Sequence, residues 1–417
     1  MDHNIEFNDI VKSLEPSTNF ESSYKSMLKL SKFIDFDMFK ETPELIFKHH
    51  RELARRPDLL DVGIRFTVQI NLFMGSIYQF GTSKHRELIE NNKNLVGSFA
   101  LTEKKAGVVS GLKIYTNAVW NNYTKKFKLT SLDSKNWISQ GNVSDYCVVF
   151  AKVFNYPGIK DKTIYPFLVN MKLSGIDKKL MPTKTAAQYL DNIEIYFSDV
   201  ELEEDTIMNK VKINSFIDIA DRLLTGRLIL AQCSFEGCKS VFDTIKNYAM
   251  SKKLDGYNDK SLYSIPSIRN LFDRFYEQYR LNTSYNDSVE NNYCECLKSG
   301  RKISPKIIKK INICKIVSTE NVCNFISELQ IKIGSVSLTH MVANLDSFLT
   351  FRFAEGDTNI LRQKIVRDEM SNFSYNYKAL YLNLILQFSG NKMETWLNNE
   401  NLIYRISNDI IYNSSKL

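Results

Sequence analysis

No run of about eighteen apolar residues occurs anywhere in the 417-residue chain, so no segment reads as a helix that spans a membrane. No block of five or more like charges is present, which removes the main sequence signal for a nucleic-acid-binding or membrane-surface tail. The first residues, MDHNIEFNDIVKSLEP, lack the basic-then-apolar order of a secretory signal. There is no internal repeat and no low-complexity tract, which excludes solenoids, propellers and long disordered linkers. The seven cysteines are odd in number and irregular in spacing. Cys294-Glu295-Cys296 is too close for the usual zinc pair, and no second Cys or His pair stands at finger spacing. Free thiols in a reducing compartment are expected. The five histidines are scattered. His49 and His50 are neighbours, but adjacent helical positions point in different directions, so a solvated face is expected there rather than a metal pair.

What remains is an ordinary folded composition, with 43% apolar and 24% charged residues. The length is too great for one ordinary core and suits two or three packed units. Fifty-five basic residues against 47 acidic give a net charge of +8. This mild excess reads as an incidental lysine-rich surface or as a rim for a polyanionic ligand.

The texture of the chain changes twice. Residues 1–95 read as helices, and the apolar stretch 66–80 (FTVQINLFMGSIYQF) as a buried one. From Val96 to about residue 205, short β-branched and aromatic runs at 112–119, 126–132, 146–153 and 165–173 alternate with Lys and Asn/Asp/Gly clusters, as in an antiparallel sheet. Residues 206–417 turn helical again. A long periodic stretch covers 213–253, and shorter ones follow at 265–280, 305–329, 358–370 and 377–388. The segment 281–304, rich in Asn, Ser and Gly, is expected to be a loop. The expected fold is α+β: an N-terminal helical domain (1–95), a central antiparallel β domain (96–205) and a C-terminal helical bundle (206–417), with a cleft where the sheet packs between the helical parts.

Three constellations carry chemistry. Phe99-Ala100-Leu101-Thr102-Glu103 stands where helix gives way to strand and is followed by the small-residue stretch Ala106-Gly107-Val108-Val109-Ser110-Gly111. Lys135-Asn136-Trp137-Ile138-Ser139-Gln140-Gly141 comes about 35 residues after Thr102. Phe353-Ala354-Glu355-Gly356-Asp357-Thr358-Asn359 precedes a helix. Each has a plain reading: Thr102 as a turn hydroxyl, Trp137 as a sheet-core aromatic, Glu355 as a first-turn helix carboxylate.

In this order and spacing the three motifs resemble those of the acyl-CoA dehydrogenase and acyl-CoA oxidase superfamily, over about residues 45 to 370. The form Glu-Gly-Asp-Thr-Asn is closer to the oxidases. The resemblance implies a dehydrogenase-like three-part fold, FAD as cofactor, and removal of hydrogen across the α and β carbons of an acyl-CoA. It implies that Trp137 packs against the isoalloxazine ring while Leu101, Thr102, Ile138 and Ser139 line the ring's edge. Glu355 would be the base that takes the α proton, and burial beside an apolar acyl chain strengthens such a base. Gly356 lets backbone approach the ring and the thioester, and Thr358 and Asn359 open a helix whose N-terminus favours an anion. Arg227 would contact the acyl-CoA, as would Ser110. Lys252, in Tyr248-Ala249-Met250-Ser251-Lys252, stands where the family has an arginine that reaches the FAD pyrophosphate of a partner subunit; lysine keeps the charge and loses the bidentate fork.

The likeness also implies a homodimer or homotetramer. The loop after Thr102-Glu103 lacks the family's Gly-Ser-Asp/Asn, Asp255 replaces a phenylalanine, and only Gly334 remains of a glycine pair. These departures point to an unusual substrate or to a relative that binds without turnover. The chain stops about 47 residues after Met370, as in the short, dehydrogenase-like form. Ser415, Lys416 and Leu417 form a peroxisomal address read by an import receptor. That address favours an oxidase with O2 as electron acceptor. The alternatives are a dehydrogenase served by an electron-transfer flavoprotein and a non-catalytic binding or assembly subunit.

Overall fold

A computed structural model describes residues 3–106, 113–182, 187–213, 223–256, 258–338, 345–371 and 377–415. Ser110, Lys416, Leu417 and the side chain of Ser415 lie outside the described residues. The chain opens with helices α1 (His3–Ser13), α2 (Phe20–Ser31), α3 (Pro43–Ala54) and α4 (Leu60–Thr67). Asn19 starts α2 with a reciprocal capping box, its side chain accepting from Ser22 N. The apolar stretch 66–80 is helical but not uniformly α: α4 runs into a π-helix at Val68–Met74 and then into α5 (Gly75–Phe80). The wide turn is of the kind that collects at functional sites. Helix α6 (Ser83–Glu90) follows.

His49 and His50 correct the expectation of a solvated face, for both are buried. α3 packs both of them inward. The His49 ring stacks on Phe7 at 4.1 Å, and His50 Nδ1 lies 2.7 Å from the carbonyl of Ile46. Burial lowers the His50 pKa to about 4.

The central strands are β1 (Gly97–Ala100), β2 (Asn117–Asn121), β3 (Lys126–Thr130), β4 (Lys135–Ser139), β5 (Tyr146–Phe154), β6 (Ile164–Asn170), β7 (Ile176–Leu180), β8 (Asn192–Phe197) and β9 (Val200–Glu203). One sheet runs β1-β5-β2-β3-β9, with β6 on the other edge of β5; a second runs β4-β8-β7. Most pairings are antiparallel, but β5 takes β1 and β2 in parallel, one along each half of its length. The sheets join the N-terminal helices through an ion pair without solvent exposure, Arg65 Nη2 to Asp191 Oδ1 at 2.7 Å. Arg65 Nε also donates to Ser23 Oγ, and Asp191 Oδ2 accepts from Asn142 N. β1 lies so close to the π-helix that a Cβ on Gly97 would fall 2.0 Å from the Phe73 ring.

The rear part is built from α7 (Leu223–Ser251), α8 (Pro266–Ser299) and α9 (Pro305–Ile333), followed by α10 (Leu345–Phe353) and α11 (Thr358–Ser371). Segment 281–304 is not the expected loop: it is helical to Ser299. Its polar residues form a buried stripe at helical spacing, Asn282, Asn286 and Glu290. Asn286 Nδ2 donates to Ser318 Oγ at 3.1 Å, and Glu290 accepts from Arg51 and Gln232. Gly300, with φ +63, closes α8. Beyond α11, helices α12 (Tyr377–Gln387), α13 (Lys392–Asn398) and α14 (Glu400–Ser415) share a small core of Leu382, Trp396, Ile406 and Ile410 with Val366. No helix among the described residues is long and apolar enough to cross a membrane.

Candidate active site

The site has a sheet side and a bundle side. On the sheet side, β4 begins with Lys135, fully buried, whose Nζ donates to Glu103 Oε1 and to the Phe150 carbonyl, each at 2.8 Å. Glu103 also accepts from Tyr115 N, Thr116 N and Thr116 Oγ. Burial works against its charge, but Lys135 and these bonds outweigh it and hold the carboxyl below its ordinary range. The pair pins the loop that carries Leu101 and Thr102 to the root of β4, and Asn136 N donates to the Thr102 carbonyl at 2.9 Å.

A bulge then interrupts β4: Lys135 faces Ile195 and Ile138 faces Ile193, so three steps on one strand match two on the other. Trp137 takes up the extra residue with φ +58. Its side chain leaves the sheet and is 59% exposed, an uncommon state for so large an aromatic. Thr102, exposed, lies on the neighbouring strand of backbone. Ser139 is half-buried and its Oγ donates to Asn192 Oδ1 at 2.8 Å, whereas Leu101 and Ile138 face the core. The plain reading of Trp137 as a sheet-core aromatic is thereby corrected. A flat ring could lie against it.

On the bundle side, α10 ends at Phe353 and the chain turns through Ala354, Glu355 and Gly356 into α11. Glu355 has φ +56 and Gly356 φ +96. A left-handed glutamate is unfavourable on its own, because its Cβ crowds the next carbonyl. The turn is held through its carbonyls. Arg227 Nε, from α7, donates to Glu355 O at 3.0 Å, and its Nη1 donates to Asn312 Oδ1 at 3.0 Å. Lys315 Nζ, from α9, donates to the carbonyls of Arg352 at 3.2 Å, Ala354 and Gly356. Burial, with the nearby charge of Arg227, lowers the Lys315 pKa to about 7. Asp357 caps α11, accepting from Asn359 N at 2.8 Å. Glu355 is thus a residue of the turn before the helix, not of its first turn.

The Glu355 side chain is half-buried and reaches the π-helix, where Asn71 Nδ2 donates to its Oε1 at 3.1 Å. Gly226 makes the room: a Cβ there would stand 2.3 Å from Glu355 Cδ. Two residues before Asn71, Gln69 serves the sheet side. Its Oε1 accepts from Gly97 N at 2.8 Å, and Gln140, the residue after β4, donates to Gly97 O. One turn of π-helix therefore touches both the carboxylate and the backbone of β1.

Of the other expected residues, Arg227 is buried, with the partners just given, and Thr358 is buried at the start of α11, its Oγ1 3.4 Å from Arg352 Nη2. Asn359 and Lys252 are exposed. Gln69, Asn71, Gly226 and Lys315 were not singled out beforehand. The signal available for Gln69 and Asn71 is two amides inside an otherwise apolar run. No group of three or more His, Cys, Asp or Glu able to hold a metal occurs among the described residues.

No family model matches the chain. Among curated proteins it is similar to the peroxisomal acyl-coenzyme A oxidase 2 of Arabidopsis thaliana, 22% identical over 395 residues that take in 82% of this chain and 55% of the oxidase. It is also similar to the mitochondrial long-chain specific acyl-CoA dehydrogenase of Mus musculus, 26% identical over 203 residues, 46% of this chain and 44% of the dehydrogenase. The chain spans about half the length of the curated relatives it matches. Among solved structures, an acyl-CoA dehydrogenase complexed with FAD from Bacillus anthracis superposes with a TM-score of 0.76 at 13% identity, covering 99% of this chain and 80% of that one. Acyl-CoA oxidase 1 from Yarrowia lipolytica gives 0.73 at 15% identity, covering 97% and 74%. At these identities the structural likeness is one of fold.

Proposed function

We propose, for a chain that belongs to the acyl-CoA oxidase and acyl-CoA dehydrogenase superfamily, FAD-dependent removal of hydrogen across the α and β carbons of a fatty acyl-CoA to give a trans-2-enoyl-CoA. The observation that carries the reading is the single π-helical turn that meets Glu355 through Asn71 and, through Gln69, accepts from Gly97 N of β1 and from Nε2 of Gln140, the residue after β4. It ties a carboxylate of the rear bundle to the middle sheet, at β1 and at the residue that follows β4.

The donor set fits a flavin. Trp137 offers an uncovered ring, Thr102 an exposed hydroxyl, and the Glu103–Lys135 pair ties the backbone beside Thr102 to the start of β4. Those residues would hold the isoalloxazine, with Lys252 of a partner subunit at the pyrophosphate. When bound, FAD supplies the acceptor for the hydride that leaves the β carbon. Glu355 accepts the α proton, and the electron pair of that C–H bond becomes the new double bond. Gly356, Arg227 and Ser110 are assigned to the thioester side. Asn71 keeps the carboxylate directed by a charge-assisted hydrogen bond.

Within this reading, O2 as electron acceptor and a peroxisomal setting are supported by the likeness to the Arabidopsis oxidase. The likeness to the mouse dehydrogenase favours an electron-transfer flavoprotein instead. A homodimer or homotetramer is supported by apolar side chains exposed along α12, among them Tyr377, Tyr381 and Leu384. The deciding experiment is purification followed by assay across a panel of acyl-CoA lengths. A yellow protein bleached by acyl-CoA under nitrogen, releasing peroxide in step with enoyl-CoA under air, is the expected result. Bleaching without peroxide selects the dehydrogenase, and a colourless protein selects a binding subunit.

A further inference from the structure

Lys315 sits in the middle of α9 without solvent exposure. An ammonium group in such a place is costly unless its hydrogens are all engaged. Its bonds go to backbone carbonyls on one turn: those of Arg352 and Ala354 before Glu355, and that of Gly356 after it. The carbonyl between them, of Glu355 itself, is taken by Arg227. Two buried cations thus read four carbonyls of a five-residue segment, at the C-terminal end of α10, where a helix favours positive charge. The same segment contains the left-handed glutamate, a conformation that persists only where its surroundings over-determine it. Asn312 orients Arg227 from one helical turn before Lys315, so α9 supports both cations.

We propose that Lys315 is a positioning residue for the reaction. Its three bonds hold Glu355 left-handed, which aims the carboxylate at Asn71 over the gap that Gly226 leaves open. Without the ammonium the turn relaxes toward ordinary backbone angles and the carboxylate swings away from its place, while the binding surfaces on the sheet side are untouched. The inference rests on Glu355 being the proton acceptor.

The test uses the full FAD-loaded chain with Lys315→Met, Lys315→Gln and, in parallel, Glu355→Gln. Steady-state kinetics are combined with amide hydrogen exchange of residues 352–358. Lys315→Met is expected to keep its flavin and a KM within about threefold, while kcat falls about tenfold or more, the scale of losing hydrogen bonds to a charged group. Exchange in 354–357 is expected to accelerate about tenfold relative to the rest of α7 and α9. Lys315→Gln, whose amide can still donate twice, is expected to recover part of kcat. A kcat within threefold of the parent, beside an inactive Glu355→Gln, overturns the assignment and leaves the proposed base standing. So does accelerated exchange spread evenly over α7 and α9, or failure of both Lys315 variants to fold, since either makes Lys315 a residue of the core at large. Activity retained in Glu355→Gln overturns the base itself, and this proposal with it.

Discussion

Asn71 and Glu355, 284 positions apart in the chain, meet through a 3.1 Å hydrogen bond from Nδ2 to Oε1. The bond crosses from a π-helix in the first helical part to the turn before α11. It depends on an empty position between them, since a Cβ on Gly226 would lie 2.6 Å from Asn71 Nδ2 and 2.3 Å from Glu355 Cδ. The carboxylate is flexible where the backbone is not, so added bulk at Gly226 displaces the side chain rather than the helix. Gly226→Ala is expected to lower kcat about tenfold or more with little loss of stability, because alanine also favours the helix. Steady-state kinetics and thermal unfolding on the same preparation check both halves.

Trp137 yields a prediction with two signs. Its left-handed backbone suits glycine, and its ring is mostly in solvent. Trp137→Gly is expected to stabilise the flavin-free protein by about 1 kcal/mol while weakening flavin binding at least about tenfold. Urea unfolding of the flavin-free protein and flavin titration separate the two effects.

The motifs Leu101-Thr102-Glu103, Trp137-Ile138-Ser139 and Glu355-Gly356 were legible in the sequence because each is short and local. The alternation of helix, strand and helix was legible from periodicity. What was not legible depends on distant partners. Lys315 reads as one lysine among many until the turn at Glu355 is laid against it. The Asn282, Asn286 and Glu290 stripe reads as loop composition, because nothing local shows that Ser318, Arg51 and Gln232 will satisfy it. His49 and His50 reverse the expected exposure since Phe7 and Phe66 pack on them. The parallel pairings of β5 join segments whose register no short window specifies.

The Arg65–Asp191 pair is buried on both sides. Removing one partner leaves the other charged and uncompensated. Asp191→Asn is expected to cost about 3–5 kcal/mol, read from the denaturant midpoint, and to loosen the β4–β8 sheet first.

His50 sets a pH dependence. Its folded pKa of about 4 lies below the ordinary 6.5, so the folded chain stays neutral there while the unfolded chain takes up a proton. Stability from this group is full above about pH 6.5 and is lost as the pH falls toward 4, by about 3 kcal/mol in all. His50→Gln is expected to flatten that part of the curve in urea titrations taken at several pH values.

The most direct test of the central claim is anaerobic flavin reduction by acyl-CoA in Glu355→Gln beside the parent. Loss of the carboxylate is expected to leave flavin and acyl-CoA bound while the visible absorbance of the flavin persists, against full bleaching in the parent. Bleaching of Glu355→Gln at a rate within a few-fold of the parent would contradict the account.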